Sequence, residues 1–239
     1  FAEYVPAGPP RRVVASLAPE RVTHFTFWSK WPKPFMPVLE QVLERGFPVL
    51  WNVTITGLGG SAIEPGVQAP AVVVKAIRAL AERVKPAAIQ WRYDPIVLTG
   101  KLDRAHHRAT FAALAAELAG SVDRVTTSFI QPYGRRVVPK LRRLERETGE
   151  PLVHPPDAER IEQLAELAEL ARAAGLRLTA CGLPELRAPT GLDPADCNAW
   201  SWAVRAYPDL SRHRPLPTRP SRPGCTCSRE VDIGAYDTC

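Results

Sequence analysis

The stretch Pro48-Val49-Leu50-Trp51-Asn52-Val53-Thr54-Ile55-Thr56, read with the apolar positions Val73, Val74, Ile77, Leu80, Ala81 and Val84 beyond a glycine-rich loop, decides the fold. The first part is a β-branched and aromatic run of strand length, and the second recurs at helical spacing. Outward from this unit the same alternation repeats. Upstream, Val22, Phe25, Phe27 and Trp28 form a strand over 22–28, which Pro32 and Pro34 end before Met36, Leu39, Val42 and Leu43 take up helical spacing. Downstream come a strand over 88–93, a helix over 104–118, a strand over 122–130, helices near 136–147 and 157–174, and a strand over 176–181. The helix from Asp157 carries that residue as an expected N-cap after Pro155 and Pro156, with Gly175 beyond its end.

Strand–helix alternation with short connectors requires parallel strands covered by helices, and five such strands favour a full or partial (β/α) TIM-like barrel over an open doubly wound sheet. No Gly-x-Gly-x-x-Gly follows the first strand, which counts against a dinucleotide fold. From 183 the periodicity fails and proline, arginine and cysteine dominate. The expectation is one structural domain, a barrel core over 1–182 with an irregular Cys-rich tail over 183–239 packed on it. A chain of 239 residues with 45% apolar content suffices for such a core. No run of eighteen apolar residues and no leader pattern is present, so a soluble, cytoplasmic protein without membrane association is expected. Phe1 is not a natural start, so a first strand is expected to precede it.

The net charge of +6, from 31 basic and 25 acidic residues, concentrates in Arg135 to Arg146 and Arg205 to Arg222. Such stripes can meet phosphates, and equally suit solvated helix faces.

In parallel barrels the reactive groups sit at the C-terminal strand ends. Those ends carry Lys30, Thr56, Arg92, Asp94, Ser128 and Cys181, and Glu64 follows in the loop after Thr56. Arg92 and Asp94 alternate with Trp91 and Tyr93, so the charged pair faces one way, toward the barrel mouth. Either a ligand or an internal Arg–carboxylate bridge satisfies it. Arg92, Asp94 and Lys30 are the catalytic candidates; Thr56, Glu64 and Ser128 are candidates to hold a cofactor or substrate. His106 and His107 fall on the outer helix ring and are expected on a solvated face; His24 is expected to be a hydrogen-bonded barrel residue.

The cysteines speak more directly. Five occur, Cys181, Cys197, Cys225, Cys227 and Cys239, an odd number without an export signal. Cys225-Thr226-Cys227 is too tight for an ordinary disulfide, yet lets two thiolates converge on one soft metal. Structural zinc sites usually space paired ligands further apart. Cys225, Cys227 and Cys239 fall within fifteen residues of the end and are the first candidates to bind an iron–sulfur cluster.

Trp28-Ser29-Lys30, Thr54-Ile55-Thr56-Gly57 with Glu64-Pro65, Trp91-Arg92-Tyr93-Asp94-Pro95-Ile96, Ser128-Phe129 and the tail Cys225-Thr226-Cys227-Ser228 through Asp232-Ile233-Gly234-Ala235-Tyr236 to Cys239 together resemble the prokaryotic domain-of-unknown-function 1848 family. The resemblance spans nearly the whole chain. In that family the tail continues past the position of Cys239 into a Cys-x-x-x-Cys-x-x-Cys segment similar to the cluster motif of radical S-adenosylmethionine enzymes and spore photoproduct lyase relatives. This sequence carries only the first of those cysteines, Cys239; the resemblance thereby leaves Cys181, Cys197, Cys225 and Cys227, the four that a fully thiolate-held cubane takes, as a second set, against a single cluster built by Cys225, Cys227 and Cys239 with further residues. The opposing reading makes Cys181 a small buried apolar residue and Cys197 incidental. The resemblance implies a [4Fe-4S] cluster, S-adenosylmethionine as a second cofactor, and an electron donor as partner, with the substrate, small molecule or nucleic acid, undefined. The first expectation is thus an iron–sulfur enzyme of radical type. Its rivals are a non-catalytic iron–sulfur or electron-transfer protein, and a metal-dependent barrel hydrolase or isomerase using Glu64, Asp94 and His24.

Overall fold

A computed structural model describes residues 2–4, 13–61, 63–131, 134–220 and 223–233, with the backbone alone at 2–4, 13–14 and 134–136. A short antiparallel ladder joins β1 (Ala2–Tyr4) to β2 (Val13–Ala15). Strand and helix then alternate: β3 (Phe25–Ser29), α1 (Met36–Glu44), β4 (Val49–Thr54), α2 (Pro70–Ala81), β5 (Ile89–Ile96), α3 (Arg104–Leu118), β6 (Arg124–Phe129), α4 (Gly134–Thr148), α5 (Asp157–Ala173), β7 (Arg177–Ala180), α6 (Pro184–Thr190), β8 (Asp193–Pro194) and α7 (Trp200–Ala206). The result is an α/β fold whose six-stranded sheet is parallel throughout, each strand lying beside the next in sequence from β3 to β8. Among the described residues no recorded pairing joins the two edge strands.

The register explains how the two faces differ. Phe27, Trp51 and Ile89 form one row across the sheet, and Val53, Trp91, Val125 and Leu178 form the next. These residues meet helices: Trp51 lies against Phe27 and Phe35, and Trp91 stacks on Phe111 of α3 at 4.9 Å between ring centroids. The opposite face carries Trp28, Asn52, Gln90 and Arg124 in one row and Thr54, Arg92, Thr126 and Thr179 in another. Asn52, Gln90, Arg124, Thr126 and Thr179 are all fully buried, so this polar face is covered.

The cover is the chain after β8. Asn52 Nδ2 donates to the Cys197 carbonyl at 2.8 Å, midway along β4. From there α7 descends across the polar face. Trp202, fully buried, lies under the Arg124 guanidinium at 4.0 Å and donates from its indole to the Ala87 carbonyl at 2.8 Å. The Tyr207 hydroxyl donates to the Val49 carbonyl at 3.0 Å, at the N-terminal end of β4. Residues 197–207 thus run as a strap across the polar face, from midway along β4 to the N-terminal edge of the sheet.

The irregular tail expected from 183 is corrected where short regular elements form. α6 and α7 have seven residues each and β8 has two. Each is shorter than the two turns or four alternating residues that a hydrophobic period needs to show itself. Asp157 is also reassigned. It is the first helical residue of α5, with Pro156 at the cap, and its carboxylate pairs with Arg160 one turn on. His107 is the third correction: it is buried, not solvated. Its ring lies between the Tyr93 hydroxyl, 2.7 Å from Nδ1, and the Val97 carbonyl, 2.9 Å from Nε2, because α3 presents it to the sheet beside Phe111. Of the basic stripes, Arg143 on α4 pairs with Glu147; the side chain of Arg135 and all of Arg222 lie outside the described residues.

Candidate metal centre

The C-terminal strand ends place six of the sequence-derived candidates in two groups. Thr56 follows β4 directly. The turn at Gly57 (φ +83°) then carries the chain away so closely that a Cβ there would lie 2.4 Å from Thr110 Cγ2. The loop beyond returns Glu64, whose carboxylate accepts from the Thr56 hydroxyl at 2.8 Å and forms an ion pair with Lys30 from the end of β3.

The second group lies on β5 and β6. Arg92 is ion-paired with Asp94 through one carboxylate oxygen, and Ser128 donates its hydroxyl to the other. Asp94–Pro95 is a cis peptide, at the point where the ladder to β6 shifts register between Tyr93 and Ile96. The Arg92 guanidinium also lies 4.8 Å over the ring of Trp28, which is half exposed. Burial works to lower the Arg92 pKa; Asp94, then Cys197 and Cys181, oppose it, and the net shift is upward. Arg92 therefore stays a fixed cation. The internal Arg–carboxylate bridge is present, and Arg92 also reaches the sulfur group described next.

Cys181 ends β7, its backbone N–H donating to the Thr127 carbonyl at 2.9 Å, and Cys197 follows β8. Both are buried and cluster with Ala195, and Cys227 packs against them. The tail brings Cys227 there by pairing with itself. The Arg219 N–H donates to the Cys227 carbonyl at 2.8 Å, and the Arg229 N–H donates to the Pro217 carbonyl at 2.7 Å. The Ser228 hydroxyl fixes this loop to the strap by accepting from the Trp200 N–H at 2.8 Å.

Cys197 is the hub. The hydrogen bond from Cys181 pulls its thiol pKa down; its own bond to Cys227 and its burial push it up, with a net upward shift. Its sulfur also accepts from Arg92 Nη1 at 3.0 Å and lies 3.8 Å from Gln90 Nε2. Cys225 sits one residue from this group, its sulfur accepting from the Cys227 N–H at 3.5 Å. None of the four is disulfide-bonded. Cys239 and the last residues of the tail motif lie outside the described residues.

Among the described residues no group of three or more His, Cys, Asp or Glu side chains is arranged so that it could hold a metal ion. The donor chemistry nonetheless fits a soft metal: thiols alone, largely buried, from two strand ends and one tail loop. Around them Asn52 Oδ1, Gln90 Oε1 and Asn198 Oδ1 are buried without a protein hydrogen-bond partner, groups that water or a ligand must satisfy.

Sequence reasoning missed the polar row of Asn52, Gln90 and Arg124, and with it the strap. The signal was present: each is a polar residue interrupting an apolar strand on the face that Arg92 also occupies. Arg124 differs from Arg92 in having no ion pair among the described residues. Burial lowers its pKa to about 9, with Asp123 opposing and Arg205 and Arg177 adding to the fall. His24 pairs its Nδ1 with the Thr23 hydroxyl at 3.2 Å, near Trp200.

Burial lowers the His24 pKa to about 4 from an ordinary 6.5. Between those pH values the unfolded chain takes up a proton that the native site refuses, so stability falls as pH drops through 6.5 and levels off near 4. In H24Q the urea midpoint measured at pH 7 and at pH 5 differs less than in the parent. An equal difference in both proteins removes His24 from the acid response.

Fold and strand ends define an α/β protein with a thiol-rich, ion-paired group at the C-terminal end of a parallel sheet. The chain matches the family described as Domain of unknown function (DUF1848) over residues 4–239, and it belongs to that family. A search of curated proteins finds no match. No helix among the described residues is long and apolar enough to cross a membrane.

Proposed function

We propose that this chain is an iron–sulfur protein whose cluster is held at the C-terminal mouth of a partial (β/α) barrel by Cys181, Cys197 and Cys227, with Cys225 as the fourth ligand. The observation that carries the reading is the burial of Cys181 and Cys197 in one cluster with Cys227 packed against it, although Cys181 and Cys227 lie 46 residues apart in the chain. Buried cysteines used only as small apolar residues have no reason to converge from three segments. The strand order supports the partial barrel. Sequential parallel strands with right-handed crossovers place the crossover helices on one face, and the other face then becomes an interior.

A [4Fe-4S] cluster supplies single-electron chemistry; with S-adenosylmethionine beside it, that chemistry begins hydrogen abstraction from a substrate. This radical reading rests on the family resemblance of the tail and on the polar groups around the sulfurs. In it Arg92 and Asp94 hold charge beside the centre, and Lys30, Thr56, Glu64 and Ser128 orient the cofactor or substrate. The protein then works in the cytoplasm with a one-electron donor as partner. Glu64 is engaged by Lys30, and Asp94 by Arg92. The hydrolase alternative thus has no assembled ligand set, whereas a cluster used only for electron transfer needs nothing beyond the cysteines.

The natural protein, purified without oxygen, should show a broad absorbance near about 400 nm that bleaches with dithionite, with iron and acid-labile sulfide in equal amounts. Zinc in place of iron, or no metal, overturns the reading. Cleavage of S-adenosylmethionine by the reduced protein separates the radical enzyme from the electron carrier.

A further inference from the structure

Arg92 is held on two sides and aimed on a third. Asp94 pairs with one end of its guanidinium, Ser128 fixes Asp94, Trp28 lies against its face, and Nη1 points at the Cys197 sulfur from 3.0 Å. A cation needed only to bridge β5 internally would be satisfied by Asp94 alone. Here a donor remains and is spent on sulfur. The side chains of Arg92 and Asp94 are each only 10% exposed, so solvent screens neither charge well.

We propose that Arg92 sets the reduction potential of the sulfur-bound centre and that Asp94 opposes it. The proposal rests on the iron–sulfur reading. Reduction adds one electron to the iron from an external one-electron donor; no bond breaks, and no proton need move, since Arg92 is charged in both states. The added negative charge is stabilised by the guanidinium and by its N–H to the ligand sulfur, both of which raise the potential. Asp94 offsets part of that charge. Removing each therefore shifts the potential in opposite directions, which a pair serving only to hold the fold together would not do.

The test is a dithionite titration of the anaerobically purified natural protein and of R92Q, R92K and D94N, followed by electron paramagnetic resonance, with iron and sulfide counted in every sample. The expected potential is lower than the parent in R92Q, lower by less in R92K, which keeps the charge but loses the forked geometry, and higher than the parent in D94N. Loaded variants with the parent's potential, or with shifts of one sign, overturn the proposal and leave the iron–sulfur reading intact. Loss of the cluster from all three variants while the parent is loaded makes the pair a scaffold and also overturns it. A parent protein without iron overturns the reading itself, a result distinct from either.

Discussion

Iron retention is lost when Cys197 is replaced by serine. Cys197 lies in the buried cluster with Cys181 and Cys227, and it is fixed from the sheet side by Arg92 and, through its carbonyl, by Asn52. Oxygen is a poor substitute for sulfur at a soft metal. The loss should exceed the roughly 10–100-fold in affinity that removal of a ligand's hydrogen-bond partner brings. The fold should survive, because the exchange is nearly isosteric; a cost of about 1 kcal/mol is typical of such substitutions. C181S and C227S should lose iron comparably, and C225S less, since Cys181, Cys197 and Cys227 form the buried cluster and Cys225 lies at its margin. Iron content per chain, measured after anaerobic desalting, checks the order. Full loading of C197S with loss only in C225S would place the metal elsewhere.

Replacing Trp202 by alanine should have the largest effect on stability and should weaken metal binding as well. Its ring is fully buried, supports the Arg124 guanidinium and donates to Ala87. Truncating a buried aromatic of this size costs about 3–5 kcal/mol. At roughly 2–4 °C per kcal/mol for a chain of this length, the melting temperature falls by about 10 °C. The loss extends to the metal because Trp202 anchors the strap that carries Cys197 to the mouth. W202F keeps the packing but not the indole donor, and should recover most of both. Thermal melts with parallel iron counts are decisive: a W202A protein that melts lower yet binds iron as the parent does would separate the strap from the site.

The parallel core was readable because its signals are long. Strands over 49–54 and 89–96 and helices over 104–118 and 157–173 each carry enough residues for a period of two or of 3.6 to emerge from side-chain polarity alone. The strap was not readable for the opposite reason: seven-residue helices and a two-residue strand hold no period, and a proline lies inside α6. His107 was misplaced because α3 buries a face that mixes it with Phe111, Leu114 and Leu118, and a histidine beside an exposed neighbour reads as polar surface. Of the site, Arg92 and Asp94 could be put on one face by alternation, and the cysteines could be counted. That Thr56, Glu64 and Lys30 meet, or that Cys197 meets Cys227, depends on a turn at Gly57 and on a self-paired tail, and neither contact is local in sequence.

The measurement that bears most directly on the sulfur site is a crystal structure of the anaerobically prepared natural protein with diffraction recorded on both sides of the iron absorption edge. The expected result is an iron anomalous peak within bonding distance of the sulfurs of Cys181, Cys197 and Cys227, with Arg92 still donating to Cys197. Iron confined to the segment around Cys239, with Cys181 and Cys197 as plain buried thiols, would contradict it.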